Sequence, residues 1–81
     1  MPQMRIFLIT RDEDDVRVGR DETAGFVIAA PHPTMARKLA ATQAGDEGAA
    51  VWMNRTTSTL GTLGTGEFQE PQIILRDFRA G

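Results

Sequence analysis

The sequence predicts an α+β domain: a small, mainly antiparallel sheet of four to five strands in the order β-β-α-β-β-β, covered on one face by a single helix. Three observations carry this prediction. Short runs rich in β-branched and aromatic residues occur at residues 4–10, 25–30 and 73–75. Only one segment, residues 33–44, repeats its apolar positions at convincing helical spacing. The 81 residues leave room for one hydrophobic core of ordinary size, so residues 1–81 are read as a single domain.

Each element has its own warrant. In the first strand, MRIFLIT, alternation puts Ile6 and Leu8 on one face and Phe7 and Ile9 on the other. With both faces apolar, such a strand belongs in the middle of a sheet or under cover on both sides. The stretch RDEDDVRVGRDET carries six acids and three arginines around two valines, without strand or helix periodicity, and reads as a solvated loop. The second strand, GFVIAA, sets Phe26 and Ile28 against Val27.

His32 is placed to cap the helix and Pro33 to open it, at the position where a missing N–H costs nothing. Met35, Ala36, Leu39, Ala40 and Gln43 form the apolar stripe, and Arg37, Lys38 and Thr42 take the wet side. Gly45 is expected to stop the helix in the left-handed conformation. Asp46, Glu47 and Gly48 then turn the chain into AAVWM, read as a third strand.

Asn54 and Arg55 make the next turn and residues 56–60 a short edge strand. GTLGTGE is too rich in glycine for a strong ladder and reads as a loop. Residues 73–75 form the last strand, with Phe78 in the tail beyond it. If the strands on either side of the helix run parallel, their crossover is right-handed and the first strand fits between them, antiparallel to both.

Composition narrows the chemistry. The apolar fraction of 41% and charged fraction of 25% are those of a folded domain rather than a disordered chain. The absence of cysteine excludes disulfides, thiolate nucleophiles and cysteine-type zinc sites. The amino-terminal run lacks the features of a signal peptide and no run reaches the length of a membrane span, which leads to the expectation of a cytoplasmic protein. A net charge of −2 gives no global attraction to nucleic acid or anionic membranes.

No catalytic constellation emerges. The sole histidine, His32, sits between two prolines, where capping explains it. Thr56, Thr57, Ser58 and Thr59 supply hydroxyls with no base set beside them, and strand propensity accounts for them. The acids at Asp46 and Glu47 have no companion to complete a metal shell, and their flanking glycines mark a turn. The run Asp12, Glu13, Asp14, Asp15 lacks the alternation and central glycine of a calcium loop; it reads as solvated, or as a docking patch for a basic partner. GTLGTGE is followed by neither a lysine nor a helix and is no nucleotide loop. The sequence therefore predicts no enzyme, no cofactor and no metal.

The geometry of one helix on a broad sheet points instead to an uncovered face. Candidates for it are Phe7, Ile9, Val27, Ile74 and Phe78. The cover would come from a twin subunit, from another protein, or from Phe68, Phe78 and the glycine-rich loop folding back. Phe7, Ile9, Asp12, Glu13, Asp14, Asp15, Trp52 and Phe78 are the expected partner-binding residues, and a homodimer is the simplest arrangement. The function expected is a non-enzymatic protein that binds and modulates a protein partner. The alternative is a nucleic-acid-binding regulator using Arg5, Arg11, Arg17, Arg20, Arg55, Arg76 and Arg79, whose acidic neighbours dilute every cluster.

AGDEGAAVW and the terminal IILRDFRAG resemble short proteins of GC-rich bacteria and their phages. The resemblance brings no catalytic residue and no assigned activity. It implies a phage-type protein that acts by binding a host protein, such as an inhibitor of CRISPR or another defence system.

Overall fold

The structure, a computed structural model, describes residues 3–12, 22–45 and 48–79, with the backbone alone for Glu22 and Arg79. Six elements follow one another: β1 (Gln3–Arg11), β2 (Glu22–Ala30), α1 (Pro33–Thr42), α2 (Ala49–Met53), β3 (Ser58–Glu67) and β4 (Gln72–Arg79). The strands form one four-stranded sheet in the order β3-β1-β2-β4, antiparallel at every neighbouring pair. The expected α+β class holds, with two helices over the sheet rather than one. The first strand is central, as its two apolar faces predict, but its second neighbour is β3 and not the AAVWM segment expected there.

Register decides which residues meet. Phe7 pairs with Ile28 and Ile9 with Phe26, so four large side chains share one face of the central strands. Ala36 and Ala40 of α1 and Trp52 of α2 close over that face, and all seven residues are fully buried. Small residues on α1 bring the helix close to the sheet, and Trp52 fills the remaining width. Its ring stands edge-on to Phe26 at 83° with centroids 4.8 Å apart, a favoured aromatic geometry.

The helix start is as predicted. His32 is extended at φ −156° and its Nδ1 accepts from the Met35 N–H at 3.2 Å, while Pro33 opens the helix. The helix end differs. Gln43 caps it, and the left-handed glycine is Gly48 at φ 88°, not Gly45. The Gly48 N–H donates to Gly45 O at 3.1 Å; Asp46 and Glu47, read from the sequence as a turn, lie outside the described residues.

AAVWM is a short helix, not a strand. Alanine and methionine favour helix, and a helical turn drives Trp52 inward without a ladder partner for its neighbours. The glycine-rich segment is a strand, not a loop. β3 runs from Ser58 to Glu67 and pairs with β1 along its whole length, with one irregularity opposite Ile6 and Phe7. The ladder to a central strand offsets the weakness of glycine in a strand. Phe78 lies within β4, opposite Thr23, and not in a tail beyond it.

Candidate interaction surface

The face away from the helices is built from the alternate residues of the same strands. One row across the sheet reads Gly61, Leu8, Val27, Leu75, and the next reads Gly64, Ile6, Ala29, Gln72. Leu8 is 38% exposed and Leu75 59%, with Ile6 and Val27 half-buried and Ala29 buried between them. Among the described residues this face carries two charges, Asp77 opposite Gly25 and, at the same end of the sheet, Asp12, whose carboxylate meets Thr59 beside Thr10. Leu63 and Ile74, unpaired where the registers of β3 and β4 shift, are exposed as well.

The three glycines of β3, Gly61, Gly64 and Gly66, face Leu8, Ile6 and Met4 on this side. Gly61 and Gly64 open onto free space, leaving bare backbone as a shallow shelf beside Ile6 and Leu8. Gly66 is different. A Cβ there would lie 2.8 Å from the Phe68 ring and 3.3 Å from Ile6 Cδ1, so only glycine lets the ring sit down. Residues 68–71 carry the chain from one edge of the sheet to the other, a span of ~14 Å at three strand spacings. On the way they turn Phe68 over one end of the open face. The chain thus supplies part of its own cover, at Met4 and Ile6, and leaves Leu8, Val27 and Leu75 uncovered.

The expected partner-binding residues divide. Phe7, Ile9 and Trp52 are wholly buried beneath the helices and present nothing to a partner. The reason is register: alternation separates Phe7 and Ile9 from Leu8, but only pairing with Phe26 and Ile28 shows which set the helices cover. Val27 belongs with Leu8, not with Phe7 and Ile9. Asp12 is half-buried and engaged at the strand end, where its carboxylate accepts from Thr59 Oγ1 at 3.0 Å and its N–H donates to Thr57 O at 3.1 Å. Glu13, Asp14 and Asp15 lie outside the described residues. Phe78 is exposed on edge strand β4, with the Arg76 guanidinium 4.2 Å from its ring centroid.

The other candidates are scattered or locally occupied. Arg5 and Arg11 stand towards opposite ends of β1, Arg55 in the turn before β3 and Arg76 on β4, while Arg17, Arg20 and the Arg79 side chain are not described. Thr56 Oγ1 donates to Asn54 Oδ1 at 2.7 Å and Thr57 Oγ1 to Val51 O at 2.8 Å, so these hydroxyls tie down the turn. Among the described residues no group of three metal-ligating side chains forms, and no helix is long and apolar enough to cross a membrane.

One residue that periodicity assigned to the wet side is buried. Arg37 is 9% exposed, with Nη1 donating to Trp52 O at 2.9 Å and Ser58 Oγ at 2.7 Å, and Nη2 to Ser58 O at 3.3 Å. It pins α1 to the end of α2 and the start of β3. Burial, and then the positive charge of Arg55, lower its pKa from the ordinary arginine value. Nothing in the spacing of the helix signalled this, because the partners are backbone and serine oxygens far along the chain.

Comparison with protein-family models, with characterised proteins and with solved structures returned no match.

Proposed function

We propose that the chain is a non-enzymatic interaction protein that packs the open face of its sheet against a second copy of itself. The observation that carries this is the uncovered apolar row Leu8, Val27, Leu75, beside a glycine shelf, with the charges of the described residues, Asp12 and Asp77, confined to one end of the face. Four strands at ~4.8 Å and about eight residues at ~3.3 Å make a face of roughly 500 Å². With one end under Phe68, two such faces bury somewhat less than about 1,000 Å² together, the size of a small or weak interface. Sheets stacked at ~10 Å interdigitate their side chains, and the bare backbone at Gly61 and Gly64 admits leucines from the opposite copy. Binding and modulating a further protein, such as a component of a host defence system, belongs to the same proposal and is supported by the sequence resemblance alone.

Sedimentation velocity across a concentration series tests the dimer. Wild type is expected to sediment as a dimer at high micromolar concentration. Leu8→Glu is expected to sediment as a monomer with an unchanged far-ultraviolet circular dichroism spectrum, because this side chain is not part of the helix-covered core. A wild type that stays monomeric throughout would refute the dimer.

A further inference from the structure

A second site, away from the open face and independent of the dimer, lies where the first turn of α1 meets the end of α2. Pro33, Thr34, Arg37, Met53 and Arg55 line an open cleft there of about 370 Å³. We propose that this cleft binds a phosphate monoester, with its phosphoryl group held by Arg37 and Arg55 and its organic part against Met53.

The charge of the cleft favours an anion. Arg37 is nine-tenths buried, yet every partner it has is a neutral oxygen: Trp52 O, Ser58 Oγ and Ser58 O. A buried charge without a counter-ion is costly, and here a second cation, Arg55, borders the same cleft and adds like-charge repulsion. Among the described residues no carboxylate lines the cleft, and Arg55 makes no hydrogen bond or ion pair. An anion in the cleft relieves both terms.

The cleft also holds spare hydrogen-bond donors. A guanidinium has five N–H groups, and the three bonds of Arg37 leave one on Nη2 and the one on Nε without a protein acceptor. In the first turn of α1, the Met35 N–H is taken by His32 Nδ1 and the Ala36 N–H by His32 O, while Pro33 has none. That leaves the Thr34 N–H, with the Thr34 hydroxyl beside it, at the positive end of the helix. Donors on two arginines and one threonine suit an oxyanion with several oxygens. A phosphoryl group carries about −1.5 to −2 at pH 7 and balances two guanidiniums, where a carboxylate balances one.

Size and lining suit an organic phosphate. A volume of about 370 Å³ falls in the usual small-molecule range of roughly 300–1,000 Å³ and exceeds what a bare phosphate needs. Pro33 and Met53, the latter 46% exposed, give the remainder an apolar wall.

The test is a nuclear magnetic resonance titration of the ¹⁵N-labelled 81-residue chain with inorganic phosphate and with phenyl phosphate, sodium chloride holding ionic strength constant. Saturable shifts are expected at the Thr34 amide and at the Arg37 and Arg55 guanidinium signals, with phenyl phosphate the tighter ligand. Arg55→Gln keeps the fold, since that side chain makes no hydrogen bond, and is expected to weaken phenyl phosphate about tenfold, the scale of one charge-assisted contact. Shifts that fail to saturate, an Arg55→Gln variant that binds as well as wild type, or equal affinity for inorganic phosphate would each overturn the monoester site. So would a short single-stranded oligonucleotide that shifts these signals where phenyl phosphate does not, since that result would make the cleft part of a nucleic-acid surface.

Discussion

The two faces of the sheet draw on the same central strands, β1 and β2, and both are apolar, yet they are in different physical states. On one side Phe7, Ile9, Phe26 and Ile28 are wholly buried beneath Ala36, Ala40 and Trp52. On the other, Leu8 and Leu75 are exposed and Val27 half-buried, with one end roofed by Phe68. The difference is one of cover and not of composition. A helix the length of α1 reaches only ~15 Å, and with α2 it spans a single face. The helix-covered side holds the folding energy of a small domain, while the open side leaves apolar area that the proposed dimer would bury.

That contrast can be broken at graded cost. The largest effect is expected from Phe7→Glu, which sets a charge at a fully buried position among aromatic and aliphatic neighbours and abolishes folding, seen as loss of the circular dichroism spectrum. Trp52→Ala removes the roof over Phe26 and is expected to cost about 3–5 kcal/mol by urea denaturation. On the open side the costs fall. Gly66→Ala drives a methyl group into the Phe68 ring, at about 1–3 kcal/mol of overpacking, while Gly64→Ala meets nothing within 4 Å and is expected to stay within roughly 0.5 kcal/mol. Leu8→Glu is expected to change monomer stability by a similarly small amount, no more than about 0.5 kcal/mol, while separating the proposed dimer. If Leu8→Glu unfolds the chain as Phe7→Glu does, the two faces are not in different states and the comparison fails.

Local signals were readable where a local cause produced them. The apolar run of β1, its central place in the sheet, the His32 cap with Pro33 behind it, and the turn at Asn54 and Arg55 all follow from a few adjacent residues. The misreadings share a cause. AAVWM is short enough for either state, and the contact of Trp52 with Phe26 settles it as helix. GTLGTGE has weak strand propensity of its own, and pairing with β1 along its length makes it β3. Arg37 sits on the side of α1 that periodicity leaves wet, and oxygens fifteen and twenty-one residues away draw it in.

By itself, then, the sequence determined the α+β class, the alternation within β1 and β2, the start of α1 and the absence of thiol chemistry, because each depends on residue type or on neighbours within a turn. Only the tertiary structure decided which side of β1 is the core, which glycines are shelf and which is seat for Phe68, and that Arg37 and Arg55 border one cleft. These depend on cross-strand register and on the packing of α2, and pairwise contacts between residues distant in the chain leave no periodic trace in it.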